Sequence, residues 1–486
     1  MRPAHRSWLA LPALVWAVGS ASAQGVRGTI TIDGSYLQLQ TLARDSVPES
    51  EVPGTGTIRR LPDGTIVTCS TGEFCRWYRS GPVEAIWATN QDLRFTAWGG
   101  VRGLSATVAV RGRLGTSDFW PRSSQEFDAI DAYLTYEHSR FRARGGRLHV
   151  RNSLGFYNFD GASFLYKGLK YAWVEVWGGW SLARNIDQPR DGSLMQEADV
   201  FAPDRRGLVF GAEAGGRWGQ KLAGSVLYQR EIRTDGLALY SERLAFDVGA
   251  LLGRVSLDAK AKYDVAYGEF NDARVTVSTP IAAGFEVSAQ GRRYLPFFEL
   301  WTIWGAFSPV GFAEARGAVR WSSPRLGLSL EGAGGYRKYE ETNAGSLANP
   351  LKDYGWTVSG RATWGNGVWY ADGGYRAITG FGAVRYGGDV TAGRTFGSGT
   401  YVGLRGTSTQ TFGEFRVGEQ FVNGGGIDGA IAIADFSIIG SYGLYRITYE
   451  NTPGTDDWTQ NRAYIGVAYR FGVEPMAAAY TRREGS

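Results

Sequence analysis

Tyr464-Ile465-Gly466-Val467-Ala468-Tyr469-Arg470-Phe471 is the stretch on which the fold turns. Ile465, Val467, Tyr469 and Phe471 alternate with small or charged residues. A period of two places one set on each face of a β-strand, so this strand is apolar on one side only. Working outward, the same alternation recurs from residue 127 onward in segments of roughly 10–14 residues, the length of a strand that crosses a bilayer at a tilt. The connections alternate short and long. Short ones fall at Arg102-Gly103, 138–140, Gly168-Leu169, Gly219-Gln220, Leu252-Gly253, 282–284, 322–325, 365–367, 397–399 and 431–434. Long ones fall at 115–126, 152–159, 182–206, 296–310, 342–352 and 450–456.

A Gly-x-x-aromatic-x-aromatic strand close to the C-terminus resembles the closing strand of bacterial outer-membrane β-barrels, the segment that the barrel assembly machinery reads. Residues 473–486 follow it and are expected to form a periplasmic tail. The other end of the chain agrees. Residues 1–23 read as a secretory signal peptide, with Arg2, His5 and Arg6 ahead of an apolar run and Ala21-Ser22-Ala23 at the cleavage site. That run is too short to span a bilayer, which takes ~20 residues. The mature chain from Gln24 would carry 50 basic and 47 acidic side chains, a net charge of +3.

Composition points the same way. The chain holds 69 Gly, 25 Tyr, 24 Phe and 17 Trp but only 3 Met and 2 Cys. After the signal no apolar run reaches the ~18 residues a membrane helix needs. The expected fold is therefore all-β: a transmembrane antiparallel up-and-down barrel of residues 24–472. The expected strand number is about 22 (range roughly 18–24), single-chain bacterial barrels being even-numbered. An even count requires 83–101 to be one long strand. Short connections would be periplasmic turns and long ones extracellular loops. A barrel of ~22 strands is wide and needs something to fill it. Residues 28–32 already read as the first strand, which leaves no room for an N-terminal plug, so the loops are the candidates.

Alternation also assigns the faces. In 127–137, Ile130, Ala132, Leu134 and Tyr136 point to lipid, while Asp131, Tyr133, Thr135 and Glu137 point inward. In 254–266, Asp258, Lys260, Lys262 and Asp264 point inward. A charge on the lipid face near the midplane costs ~2–4 kcal/mol, so these residues line an aqueous lumen. Only seven basic residues are Lys, so 45 are Arg. The densest stretch holds Arg142, Arg144, Arg147, His149 and Arg151, with Gly145-Gly146 read as a bulge that shifts the register. Arg217, Arg292, Arg316, Arg320, Arg361, Arg385 and Arg405 add to it from other strands. Interleaved acids include Asp131, Glu137, Glu175, Glu213, Glu286, Glu314, Glu331, Asp372 and Asp389. Two readings stand open. The charges form an internal ion-pair network that stiffens the barrel, or Arg142, Arg144, Arg147, Arg151, Arg292, Arg316, Arg320 and Arg361 contact anions in transit, to which arginine's planar fork is suited.

Residues 129–183 add a family resemblance. Ala132-Tyr133-Leu134 is followed by Gly146-Arg147-Leu148, then Asn158-Phe159-Asp160-Gly161-Ala162, then a strand with Tyr171, Trp173 and Trp177. This order resembles alginate-export-type outer-membrane channels. It implies passive passage of an acidic polysaccharide or small anions through an Arg-lined barrel, with Arg142, Arg144 and Arg147 as lumen contacts.

Two loops stand apart. Residues 41–82 contain three short strand-like stretches (57–60, 64–69 and 74–79) and both cysteines. Cys69 and Cys75 are an even pair in an exported chain, which reads as a disulfide. Residues 296–310 are apolar and aromatic, and Trp301, Trp304 and Phe307 are candidates for a constriction or for stacking on sugar rings, against membership of the interfacial aromatic belt. No Cys-x-x-Cys-His motif is present, and His138 and His149 are the only histidines after the signal. No cofactor, metal, nucleic-acid partner or enzymatic role is expected. The expected partners are outer-membrane lipid, the assembly machinery, and small anionic or acidic-saccharide solutes. Alternatives to a channel are a sheath for a periplasmic multihaem cytochrome, service to another export partner, or a surface receptor or adhesin that uses 41–82.

Overall fold

A computed structural model describes residues 25–69, 73–115, 127–183, 207–233, 239–295, 311–340, 353–379, 385–397, 399–412, 419–450 and 456–472. The expected signal peptide, the tail 473–486 and the candidates Trp301, Trp304 and Phe307 lie outside the described residues.

Twenty-two antiparallel strands close into one barrel. The first strand, Gly25–Pro48, pairs with the second wall strand, Phe74–Trp98. It also pairs with the closing strand, Trp458–Gly472, from Arg27↔Gly472 to Leu37↔Arg462. Every other neighbour in the wall is the next strand along the chain, as an up-and-down meander requires. Residues 83–98 belong to a single strand, as the even count demanded. The short connections sit where expected: Gly253-Arg254, for example, joins Leu239–Leu252 to Val255–Asp264.

The faces follow the alternation. Registered partners share a face, and Asp247↔Lys260↔Arg274↔Arg292↔Glu314↔Arg337 runs as one inward row across six strands. The opposite set includes Leu134, Val358, Leu404 and Ile465, all exposed. Apolar outside and charged inside inverts the order of a water-soluble domain. The wall closes on itself, each strand pairing with a neighbour on either side, as β-structure needs in order to cross a bilayer.

Glycine has a defined use in this wall. Inward aromatic rings lie flat across glycines of neighbouring strands: Trp177 covers Gly211, Trp173 covers Gly215, and Tyr370 covers both Gly393 and Gly403. A Cβ at any of these glycines would collide with the ring. Such pairs fill the inner surface and pin the register.

Two features depart from the sequence reading. Residues 152–159 are not a long loop. Strands Phe141–Asn152 and Gly155–Tyr166 pair along their whole length and turn at Ser153-Leu154. Residues 41–82 hold more strand than expected. The first and second wall strands are 24 and 25 residues long, and beyond Leu37 and Ala88 they pair with each other and no longer with the rest of the wall. Residues 38–48 thus carry a two-stranded ribbon roughly 35 Å past the closing strand at ~3.3 Å per residue.

A small head caps this ribbon. Strands Ile58–Arg60 and Ile66–Cys69 extend its sheet. Val52, Val67, Cys69 and Cys75 form its buried core, with Val47, Leu61 and Trp77 packed around them. Cys69 and Cys75 are disulfide-bonded. Arg59 joins Glu49 in an ion pair. Asp63 accepts the Thr65 backbone N–H at 2.9 Å, which holds its carboxyl below the usual carboxylate range. That contribution is present above the ordinary carboxylate pKa and is lost as pH falls through the lowered value. So small a core needs its staple, and closing a short loop is worth about 2 kcal/mol in the chain-entropy model. We expect Cys69→Ser/Cys75→Ser to make residues 41–82 protease-sensitive while the barrel keeps its heat-modifiable mobility on gels. Equal protease resistance of both proteins would refute a stabilising role for the disulfide.

Candidate functional site: an inward-folded hairpin

The hairpin 141–166 begins as ordinary wall. Arg142, Arg144 and Gly146 pair with Glu137, Thr135 and Tyr133. Pairing to that neighbour then stops at Ala132↔Arg147. Three glycines stand side by side at this level, Gly146↔Gly161↔Gly179. Gly146 has φ +128°, a value L side chains avoid. A Cβ on Gly146, Gly161 or Gly179 would fall on a carbonyl oxygen of the adjacent strand (Ala132, Gly178 and Asp160 respectively), closer than any real Cβ contact. This glycine row is a crease. The expected bulge at Gly145-Gly146 is not present, and the register of 141–152 against 155–166 is unbroken.

Beyond the crease the hairpin folds over the inner wall. Leu148, Val150, Leu154, Tyr157 and Phe159 are buried against Trp177, Val209, Leu227 and Ala245, which lie on four different wall strands. Those partners share the inward face with Glu175, Glu213 and Asp247, so the contact lies inside the barrel. The tip is tied to the inner wall. Arg243 donates to the Tyr157 hydroxyl, and Asn152 Nδ2 lies 3.5 Å from Gln229 Oε1. Apolar burial of this kind contributes about 1.5–3 kcal/mol per large side chain, so the fold-over is a packed state.

The opposite face of the hairpin looks into open lumen. Arg147 grips Asp160 through a fork, Nε–Oδ1 2.8 Å and Nη2–Oδ2 3.1 Å, and its Nη1 donates to the Ala129 carbonyl at 2.9 Å. His149 Nδ1 lies 2.7 Å from Oδ1 of the buried Asp131, whose other oxygen is 3.7 Å from Arg94. Arg151 is exposed, and no carboxylate among the described residues pairs with it.

The arginine set read from sequence therefore divides. Arg142 and Arg144 stand on the inner wall and converge on Glu175, at 3.6 and 3.0 Å. Arg147 and Arg151 occupy the other face of the same strand. In a flat wall alternation would aim them at lipid, and the crease brings them into water instead. Arg292 forks onto Asp272 at 2.8 and 3.2 Å, and Arg361 pairs with Asp372. These are the internal ion pairs of the first sequence reading. Among the described residues Arg316 and Arg320 bond hydroxyls, Ser359 at 3.0 Å and Ser329 at 3.4 Å, and Arg320 stands in register between Glu286 and Glu331. The hairpin strands are fifth and sixth around the 22-strand wall, and Arg316, Arg320 and Arg361 stand on the fourteenth and sixteenth. They face the hairpin from across the lumen.

Sequence reasoning missed the apolar anchor and the Asp131–His149 contact. The signal was present: Leu148 and Val150 alternate with Arg147, His149 and Arg151, and Tyr157 and Phe159 alternate with Asn158 and Asp160. Bulky apolar residues on the lumen parity mark a strand with something to pack against. Beside the tip, Ser153 borders a cavity of about 1120 Å³ whose wall includes Arg217, Lys260, Lys262, Arg274, Asp247 and Asp258.

No protein-family model matches the chain, and no curated protein matches it. Solved structures with a similar fold include a BenF-like porin from Pseudomonas fluorescens Pf-5, at 10% identity and TM-score 0.42, covering 93% of this chain and 100% of that one. OpdQ of Pseudomonas aeruginosa is similar at 10% identity and TM-score 0.40, covering 92% and 98%. OccAB4 of Acinetobacter baumannii is similar at 9% identity and TM-score 0.39, covering 93% and 99%. These are likenesses of barrel fold and assign no residue a role.

Proposed function

We propose that the chain is a porin-like channel of the bacterial outer membrane that passes small or polymeric anionic solutes passively. One observation carries the choice of anions. Arg151 on the open face of the hairpin and Arg316 on the wall across from it have no carboxylate partner among the described residues, whereas Arg320 stands in register between Glu286 and Glu331. The two unpaired cations sit at a narrowing in a low-dielectric wall, where they raise local anion concentration and attract solutes with planar acidic groups. The paired arginines hold shape, and the unpaired ones select. The hairpin also occupies part of the lumen, which favours a solute path over a sheath around a cytochrome. The site holds no catalytic role in this reading: His149 orders the constriction through Asp131. The closing strand is the segment the assembly machinery would recognise.

Planar-bilayer recording tests the proposal. Arg151→Gln/Arg316→Gln is expected to lower anion-over-cation selectivity several-fold with little change in conductance. Arg292→Gln, which breaks a neutral pair, is expected to shift selectivity less. Unchanged selectivity in the double variant would reject the anion path. A sealed wild-type pore would reject the channel itself.

A further inference from the structure

The head above the barrel is a four-stranded sheet with two unlike faces. Its strand order is 58–60, 66–69, 74–79, 43–48, given by Ile58↔Thr68, Thr68↔Arg76 and Ser46↔Arg76. Val67, Cys69, Cys75 and Trp77 belong to the back face, the packed one. Asp45 is there too, paired with Arg79 at 3.0 Å. The front face carries Ile58, Arg60, Ile66, Phe74, Arg76 and Arg44. Ile58, Ile66 and Phe74 are 71%, 44% and 45% exposed, and all three arginines are exposed as well. No carboxylate stands on this face. The acids of the head are elsewhere, with Glu49 and Glu51 in the short 3-10 turn, Asp63 in a tight turn and Glu73 ahead of its strand. Among the described residues none pairs with Arg44, Arg60 or Arg76.

We infer that this front face binds an extended acidic polysaccharide outside the cell. Charge complementarity selects an anion, since three guanidinium groups are spread over about 14 Å, three strand spacings, with nothing to neutralise them. The interleaved Ile58, Ile66 and Phe74 select a ligand that presents flat apolar surface between its acidic groups. A uronic-acid polymer has both, with a carboxylate on each unit for an arginine fork and the C–H face of each ring for an apolar side chain. A nucleic acid would call for aromatic stacking at successive positions, and here aliphatic isoleucines alternate with the arginines. The site is separate from the lumen and does not depend on the channel reading.

Binding of full-length protein in nanodiscs to immobilised polygalacturonate, with dextran of equal length as the neutral control, tests it. The expected result is salt-sensitive binding to polygalacturonate and none to dextran. Arg44→Gln/Arg60→Gln/Arg76→Gln is expected to weaken binding at least about tenfold. Arg79→Gln, on the packed face, keeps it. The triple variant keeps wild-type bilayer conductance, so loss of binding reports on the head alone. Ile58→Glu places one carboxylate on the same face and is expected to weaken binding as well, which covers the case of a triple variant that misfolds. Binding that survives the triple change, equal loss in Arg79→Gln, or tighter binding of DNA or an acidic protein at the same ionic strength would each overturn the inference.

Discussion

Joining Arg147 to Asp160 through an Asn-Gly turn is expected to raise single-channel conductance several-fold. The two residues are register partners, and Asn-Gly closes a two-residue hairpin in the twist that strands prefer. The variant loses residues 148–159, and with them the whole packed tip. The wall keeps every inter-strand bond on the periplasmic side of the crease, so the barrel still closes. What disappears is the part of the hairpin that folds over the inner wall, together with the last wall pairs Phe159↔Ser181 and Asn158↔Ala183. A milder pair of changes separates volume from anchoring. Tyr157→Ala/Phe159→Ala keeps the hairpin but removes two buried rings, each worth roughly 3–5 kcal/mol. The tip then detaches intermittently, and the record should flicker between the native and the wide level. Conductance equal to wild type in the shortened variant would mean that the narrowest point lies elsewhere.

The second large effect is expected from Gly161→Val. Gly161 sits between Gly146 and Gly179, and its missing side chain is replaced by the Gly178 carbonyl oxygen. That neighbour is backbone and cannot rotate aside, so the strands must separate. Overpacking typically costs 1–3 kcal/mol and more where nothing yields, and we expect at least about 3 kcal/mol here. Denaturant unfolding of protein refolded into vesicles reads it. Gly145→Val is the matched control: it is one residue from Gly146, and a Cβ there meets nothing within 4 Å. Gly145 pairs with the outward Leu134, so the added valine enters lipid. Equal loss in the two variants would show that any glycine in this strand matters, and the crease would lose its special standing.

Much of this fold is written in a period of two. Alternation located most strands and set their faces, and the even strand count demanded one strand through 83–101, of which 83–98 is strand. The two cysteines could be paired because they are the only ones in the chain. The lumen charges Asp258, Lys260, Lys262 and Asp264 also followed from parity alone. Parity does not report curvature. Arg147 and Arg151 were read as lumen residues by way of a bulge, and they reach the lumen by a crease instead, with parity intact. Nor does a linear reading say which arginine meets which acid. Arg144 finds Glu175 two strands away, and Asp131 finds His149 only because the hairpin bends toward it. The length of the ribbon was illegible for a different reason. Its residues mix apolar and charged side chains on each face, Val47, Cys75 and Trp77 with Asp45 and Arg79 on one and Phe74 with Arg44 and Arg76 on the other, so the period-two signal of a strand is blurred there.

The apolar underside of the hairpin has a bearing on the order of assembly. Leu148 and Phe159 pack against Val209, Leu227 and Ala245, residues two to four strands further along the wall. Until the strand Leu239–Leu252 has joined the growing wall, the underside has no complete surface to rest on, and contacts so distant in sequence form late. Strand insertion therefore precedes constriction. The pore is at its widest while it is still being built, and it narrows only when the wall is ready to hold its own gate.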